Sequence, residues 1–116
     1  MHFKLIIALL EDSKTEGVMD AARQAGAKGV TVLNQARGEG CDAPTTFLGL
    51  HLEAQRDVVL FLVEAHLARE IIEDIAAAAN FESEPGAGIA FTIDVEDAIG
   101  VNHQIQDLVA IVEDKL

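Results

Sequence analysis

The chain of 116 residues has room for one modest core, and half of its residues are hydrophobic while only 4% are aromatic, so that core must be aliphatic. Twenty Asp and Glu against eight Lys and Arg leave a formal charge of −12, which repels phosphate backbones and excludes nucleic acid as an expected partner. The longest apolar runs fall far short of the roughly 20 residues that cross a bilayer. With no direct membrane insertion and only one cysteine, Cys41, a cytoplasmic protein is expected.

Residues 3–10 form a nearly continuous apolar run interrupted by Lys4, the pattern of a strand covered on both faces. Ser13 and Glu16 have the spacing of a capping box and predict a helix start. Val18, Ala21, Ala22 and Ala25 then recur at helical spacing, and Gly26 stands where a left-handed cap is wanted. A second strand is expected over 30–36. Gly38, Gly40 and Pro44 mark an exposed loop after it.

Residues 47–53 alternate in polarity and are expected to close a hairpin with 58–63, a run with no polar member. Leu67, Ile71, Ile75 and Ala78 mark the buried line of a second helix, widened by Ala68, Ile72 and Ala79, with Asn80 as its stop. Ile89, Phe91, Ile93 and Val95 alternate with Ala90, Thr92 and Asp94 and predict a last strand. Ile105, Leu108, Val109 and Val112 predict a peripheral third helix.

Strand, helix, strand, strand, helix, strand is the split βαβ plan. The expected fold is therefore an α+β, ferredoxin-like sandwich, an antiparallel sheet with two helices on one face plus a C-terminal helix. One domain over 1–116 is expected, with an exposed loop at 37–57 and an extension at 101–116. The second sheet face is left open. Burying a large aliphatic side chain contributes roughly 1.5–3 kcal/mol, so several of them on that face favour copies packing sheet against sheet.

The stretches Phe3-Lys4-Leu5-Ile6-Ile7-Ala8, Ala25-Gly26-Ala27, Gly29-Val30-Thr31-Val32, Gly86-Ala87-Gly88-Ile89-Ala90-Phe91 and Val95-Glu96-Asp97-Ala98-Ile99 together resemble the P-II (nitrogen regulatory, GlnB-like) signal-transduction family over about residues 3–100. The resemblance implies a homotrimer that is a regulator and not an enzyme. Its clefts between subunits bind an adenine nucleotide (ATP, ADP or AMP), and a long loop contacts a target enzyme or membrane transporter in nitrogen or carbon metabolism. Carried onto this chain, it implies ligand contact at Thr31, Arg37, Gly38, Glu39 and Gly40 and at Gly86, Ala87, Gly88 and Ile89. Partner contact is implied for Glu39, Cys41, Asp42 and Arg56 in the loop.

The chain departs from that family where phosphates are held. It has Gly86-Ala87-Gly88-Ile89 where the family has Gly-Asp-Gly-Lys, and Gly100-Val101-Asn102 where the family has Arg-Ile-Arg. Each lost charge-assisted contact is worth about 1.5–3 kcal/mol, which weighs against ordinary ATP binding and marks a divergent P-II-like member. The chain has no tyrosine, so the tyrosine modification of some P-II loops is excluded.

His2, His51, His66 and His103 lack metal-binding spacing, and no nucleophile stands with a base in sequence, so neither a metal site nor a catalytic residue is expected. Asp57 and Glu53 read as solvated loop charges. Two rival classes share the architecture: a CutA-like metal-responsive trimer, whose melting would respond to divalent cations, and a small ferredoxin-like isomerase or monooxygenase, which needs a polar group inside a closed apolar pocket.

Overall fold

In the computed structural model, residues 1–36, 46–47, 50–51 and 56–115 are described. Strand β1 (Phe3–Glu11) leads through a 3₁₀ turn (Asp12–Lys14) into helix α1 (Thr15–Gln24), and β2 (Thr31–Ala36) follows. Two short strands, β3 (Thr46–Phe47) and β4 (Leu50–His51), precede β5 (Arg56–Glu64) and α2 (Ala65–Ala79). The last elements are β6 (Gly88–Val95) and α3 (Asn102–Lys115).

The main sheet has the order β2-β5-β1-β6, and every neighbouring pair is antiparallel. Each helix thus links two strands with a third between them, the arrangement of the ferredoxin-like fold. The expected hairpin between 47–53 and 58–63 does not form. Both edges of β5 are already taken, one by β1 and the other by β2, and β3 pairs with β4 instead.

Alternation divides the sheet into two unlike faces. Ile6, Ala8 and Leu10 of β1 and Val59, Phe61 and Val63 of β5 are buried beneath the helices. Val18, Ala22 and Ala25 meet them from the first helix, and Leu67, Ala68, Ile71, Ile75 and Ala79 from the second. Ala78, expected on that line, is exposed, and Ala79, four residues beyond Ile75 and expected to widen the stripe, is buried in its place. Leu108 and Val112 tie α3 into the same core.

On the other face, Leu5, Ile7 and Leu9 stand opposite Leu62, Leu60 and Val58 of β5 and opposite Ile93, Phe91 and Ile89 of β6. Thr31 and Leu33 of β2 extend this face beside Leu60 and Val58. It is apolar and partly exposed: Leu33 is 52% exposed, Phe91 40% and Ile93 46%.

Polar residues at the ends of β5 fasten it to both helices. Glu64 is the N-cap of α2 and accepts a hydrogen bond from the His66 backbone N–H at 2.7 Å, which satisfies one of the helix's free donors. At the opposite end Asp57 accepts the Thr15 hydroxyl at 2.5 Å at the start of α1. The expected Ser13–Glu16 capping box is absent. Residues 12–14 tighten into the 3₁₀ turn, and no side chain caps α1 from within its own segment.

Candidate functional site

The segment that leads into β6 is a chain of tight turns. Asn80 adopts the left-handed conformation that stops α2, and its carbonyl accepts the N–H groups of Ser83 and Glu84 at 3.2 and 2.9 Å. The Ala87 N–H then donates to the Glu84 carbonyl at 3.1 Å, which commits one donor that an anion cradle would use. Gly88 is required by packing. A Cβ there would lie 2.5 Å from the Leu9 carbonyl oxygen and 2.6 Å from the Phe81 ring. Ile89 and Ala90 form the strand edge of a shallow groove of about 290 Å³, whose other wall is Arg69, Ile72, Glu73 and Ala76 of α2.

Thr31 is exposed at the opposite edge of the sheet. Its register partner is Leu60, which pairs with Ile7, which pairs with Phe91. Three strand spacings of about 4.8 Å therefore separate Thr31 from β6, roughly 14 Å. The two candidate segments therefore lie on opposite edges of the sheet. Just beyond Thr31, β2 carries a bulge between Leu33 and Ala36, with Gln35 at a φ of 62°, and bulges of this kind redirect a strand at its end.

Arg37, Gly38, Glu39, Gly40, Cys41 and Asp42 lie outside the described residues. Arg56 requires a correction. It was expected in an exposed loop facing a partner, but it is the first residue of β5, only 4% exposed, with Nη1 3.8 Å from Glu11 Oε1. Asp57, read as a solvated loop charge, is buried as well. Residues 56 and 57 therefore belong to the strand and not to the expected loop. The signal was in the phase: Asp57 shares the parity of Val59, Phe61 and Val63, the helix-covered side of the strand.

Three further polar groupings were not anticipated. Lys14 Nζ lies 3.0 Å from Glu84 Oε2, joining the β1–α1 turn to the segment before Gly86. His66 Nδ1 lies 2.7 Å from Glu64 Oε1. Where β1 begins and β6 ends, His2 Nε2 lies 2.6 Å and Lys4 Nζ 3.4 Å from Asp94 Oδ1. The His2 hydrogen bond, aided by Lys4 and only partly opposed by desolvation, holds the Asp94 carboxyl below its ordinary range. Among the described residues no group of three or more His, Cys, Asp and Glu could hold a metal ion, and no helix is long and apolar enough to cross a membrane.

An antiparallel sheet with both crossover helices on one side defines a ferredoxin-like α+β protein. The sequence model of the nitrogen regulatory protein P-II family matches residues 3–104, and the chain belongs to that family, whose members are regulators and not enzymes. Solved structures agree on the fold. CPII of Thiomonas intermedia K12, described as bound to ADP, AMP and acetate, is 20% identical, with a TM-score of 0.66 over 86% of this chain and 92% of that one. PII of Arabidopsis thaliana, described as bound to citrate, is 25% identical, with a TM-score of 0.67 over 86% and 83%. A PII-like signalling protein of Thermus thermophilus is 24% identical, with a TM-score of 0.60 over 82% and 88%. No curated protein matches the chain.

Proposed function

We propose that this protein is a cytoplasmic, trimeric regulator. In this reading it senses a small effector in clefts between subunits and passes the signal through residues 37–55 to a target enzyme or membrane transporter in nitrogen or carbon metabolism. The observation that carries this reading is the sheet itself. Its open face presents Leu5, Ile7, Leu9, Leu60, Leu62, Phe91 and Ile93, and a second copy is the natural cover for so extended an apolar surface. In this reading, packing in a ring around a symmetry axis brings the Thr31 edge of one copy near the Gly86–Ile89 edge of the next, so that the two candidate segments share a ligand.

An adenine nucleotide is the favoured effector class, supported by the ADP and AMP described in the Thiomonas relative. In this reading the output loop corresponds to residues 37–55, and Arg56, the first residue of β5, serves as its anchor and not as its contact surface. A mass measurement in solution tests the assembly, with three times the 12.4 kDa chain mass expected. A thermal-shift screen with ATP, ADP, AMP, cyclic nucleotides, bicarbonate, 2-oxoglutarate and divalent metals tests the effector, with stabilisation by at least one adenine nucleotide expected. A stable monomer in dilute solution would sink the reading. A response to metals with none to nucleotides would favour a CutA-like role.

A further inference from the structure

The family's phosphate-facing lysine is replaced by Ile89, yet a cation does stand beside this segment. Lys14, in the turn between β1 and α1, places its ammonium 3.0 Å from the Glu84 carboxylate, two residues before Gly86. Lys14 is mostly buried, whereas Glu84 is exposed and is also held at 3.4 Å by the Asn80 side-chain amide. The lysine is therefore the constrained member of the pair and the glutamate the one that can leave.

The same turn holds the strand that ends the output segment. Glu11 reaches Arg56, and the hydroxyl of Thr15, next in sequence to Lys14, donates to Asp57. Five consecutive residues, 11–15, thus carry tethers to two places: Arg56 and Asp57 at the start of β5, and Glu84 before β6.

We propose that Lys14 is the anion-sensing residue of this protein. An anionic group of the effector, arriving at the Gly86–Ile89 segment, displaces Glu84 and takes over the Lys14 ammonium. The exchange swaps one carboxylate partner for another anion, so the ammonium stays paired throughout and no charge is left buried. Because Lys14 precedes Thr15, releasing the turn from its Glu84 tether alters the restraint on the Thr15–Asp57 bond and with it the start of β5. Thr15 is a positioning residue in this scheme. The proposal rests on the effector reading for its ligand and on the turn's own contacts for its coupling.

The test uses full-length protein and four probes, AMP, ADP, ATP and inorganic pyrophosphate, with affinity read by calorimetry. Lys14→Met is expected to weaken anion binding about tenfold or more, and Lys14→Arg to keep it, since charge-assisted bonds are the strong ones. Glu84→Gln removes the competitor and is expected to tighten binding about two- to tenfold. Thr15→Val leaves affinity within about twofold while abolishing the probe-induced change in hydrogen exchange at the Arg56–Val58 amides; Thr15→Ser restores it.

Unchanged affinity in Lys14→Met, or weaker binding in Glu84→Gln, overturns the assignment. So does a wild type that none of the four probes binds, and a trimeric mass with binding of a neutral ligand would then leave the regulator reading standing alone. Coupling through the turn is also read without any ligand. Glu84→Gln is expected to accelerate exchange at Arg56–Val58, and an effect confined to residues 80–89 overturns it.

Discussion

The two faces of the main sheet are made from the same residue types and have opposite fates. Under the helices, Ile6, Leu10, Val59 and Phe61 are fully buried within one chain. On the reverse, Ile7, Leu60, Phe91 and Ile93 are just as apolar, yet Phe91 and Ile93 stay exposed and Ile7 and Leu60 only partly buried among the described residues. Composition therefore does not separate a core from an interface; the difference lies in which face the crossover connections cover. A strand between two others with apolar residues on both sides, as in β5, is the mark of a sheet covered partly by its own helices and partly by something else.

The sharpest way to break this comparison is to substitute one large apolar residue on each face. Phe61→Ala opens a cavity under the helices and is expected to cost about 3–5 kcal/mol of stability in any assembly state. Its effect should appear in denaturant melts of even the most dilute samples. On the reverse face, Leu60→Asp or Phe91→Asp is expected to abolish assembly while leaving a folded chain. Sedimentation reads that loss of mass, and far-UV dichroism reads the retained helices. If Leu60→Asp leaves the mass unchanged, the open face is not the contact surface.

Smaller effects sharpen the picture at the strand ends. Gly88→Ala drives a methyl group toward the Leu9 carbonyl and the Phe81 ring, and is expected to cost about 1–3 kcal/mol. Glu64→Ala removes the cap of α2, an expected loss of about 1 kcal/mol on thermal unfolding. The smallest change expected is at Asp94. Its folded-state pKa is depressed, so its contribution is present above the ordinary carboxylate range and is lost as pH falls through that range and below. The melting-temperature difference between wild type and Asp94→Asn should therefore be present near neutral pH and shrink as the pH falls below the ordinary carboxylate range; a difference that grew on acidification would contradict the pairing with His2 and Lys4.

Much of the fold was legible from periodicity. The helical stripe of Val18, Ala22 and Ala25, the stop at Asn80 and the alternation of β6 all appear where their spacing predicts. The capping box failed because a local signal competed with a distant one. Ser13 offers a hydroxyl within the turn, while the helix begins at Thr15, whose own hydroxyl is engaged by Asp57, 42 residues away. Arg56 and Asp57 were misread for a related reason. Polar residues at the end of an apolar run look like loop, and their burial becomes evident only when β1, α1 and β5 meet.

The candidate site was legible in part. Its glycines were visible, but spacing does not reveal that Gly88 answers to the Leu9 carbonyl, nor that the Ala87 N–H is spent on Glu84. Lys14 was invisible as a site residue, because 70 positions separate it from the carboxylate it pairs with.

By itself the sequence determined the kinds of elements, their order and the aliphatic character of the core, because these follow from spacing within a window shorter than a helix or a strand. Only the tertiary structure decided which face of each strand is covered, which charges are buried, and that Thr31 and Gly88 lie on opposite edges of one sheet. Those outcomes depend on strand order, which brings together residues that no local pattern connects.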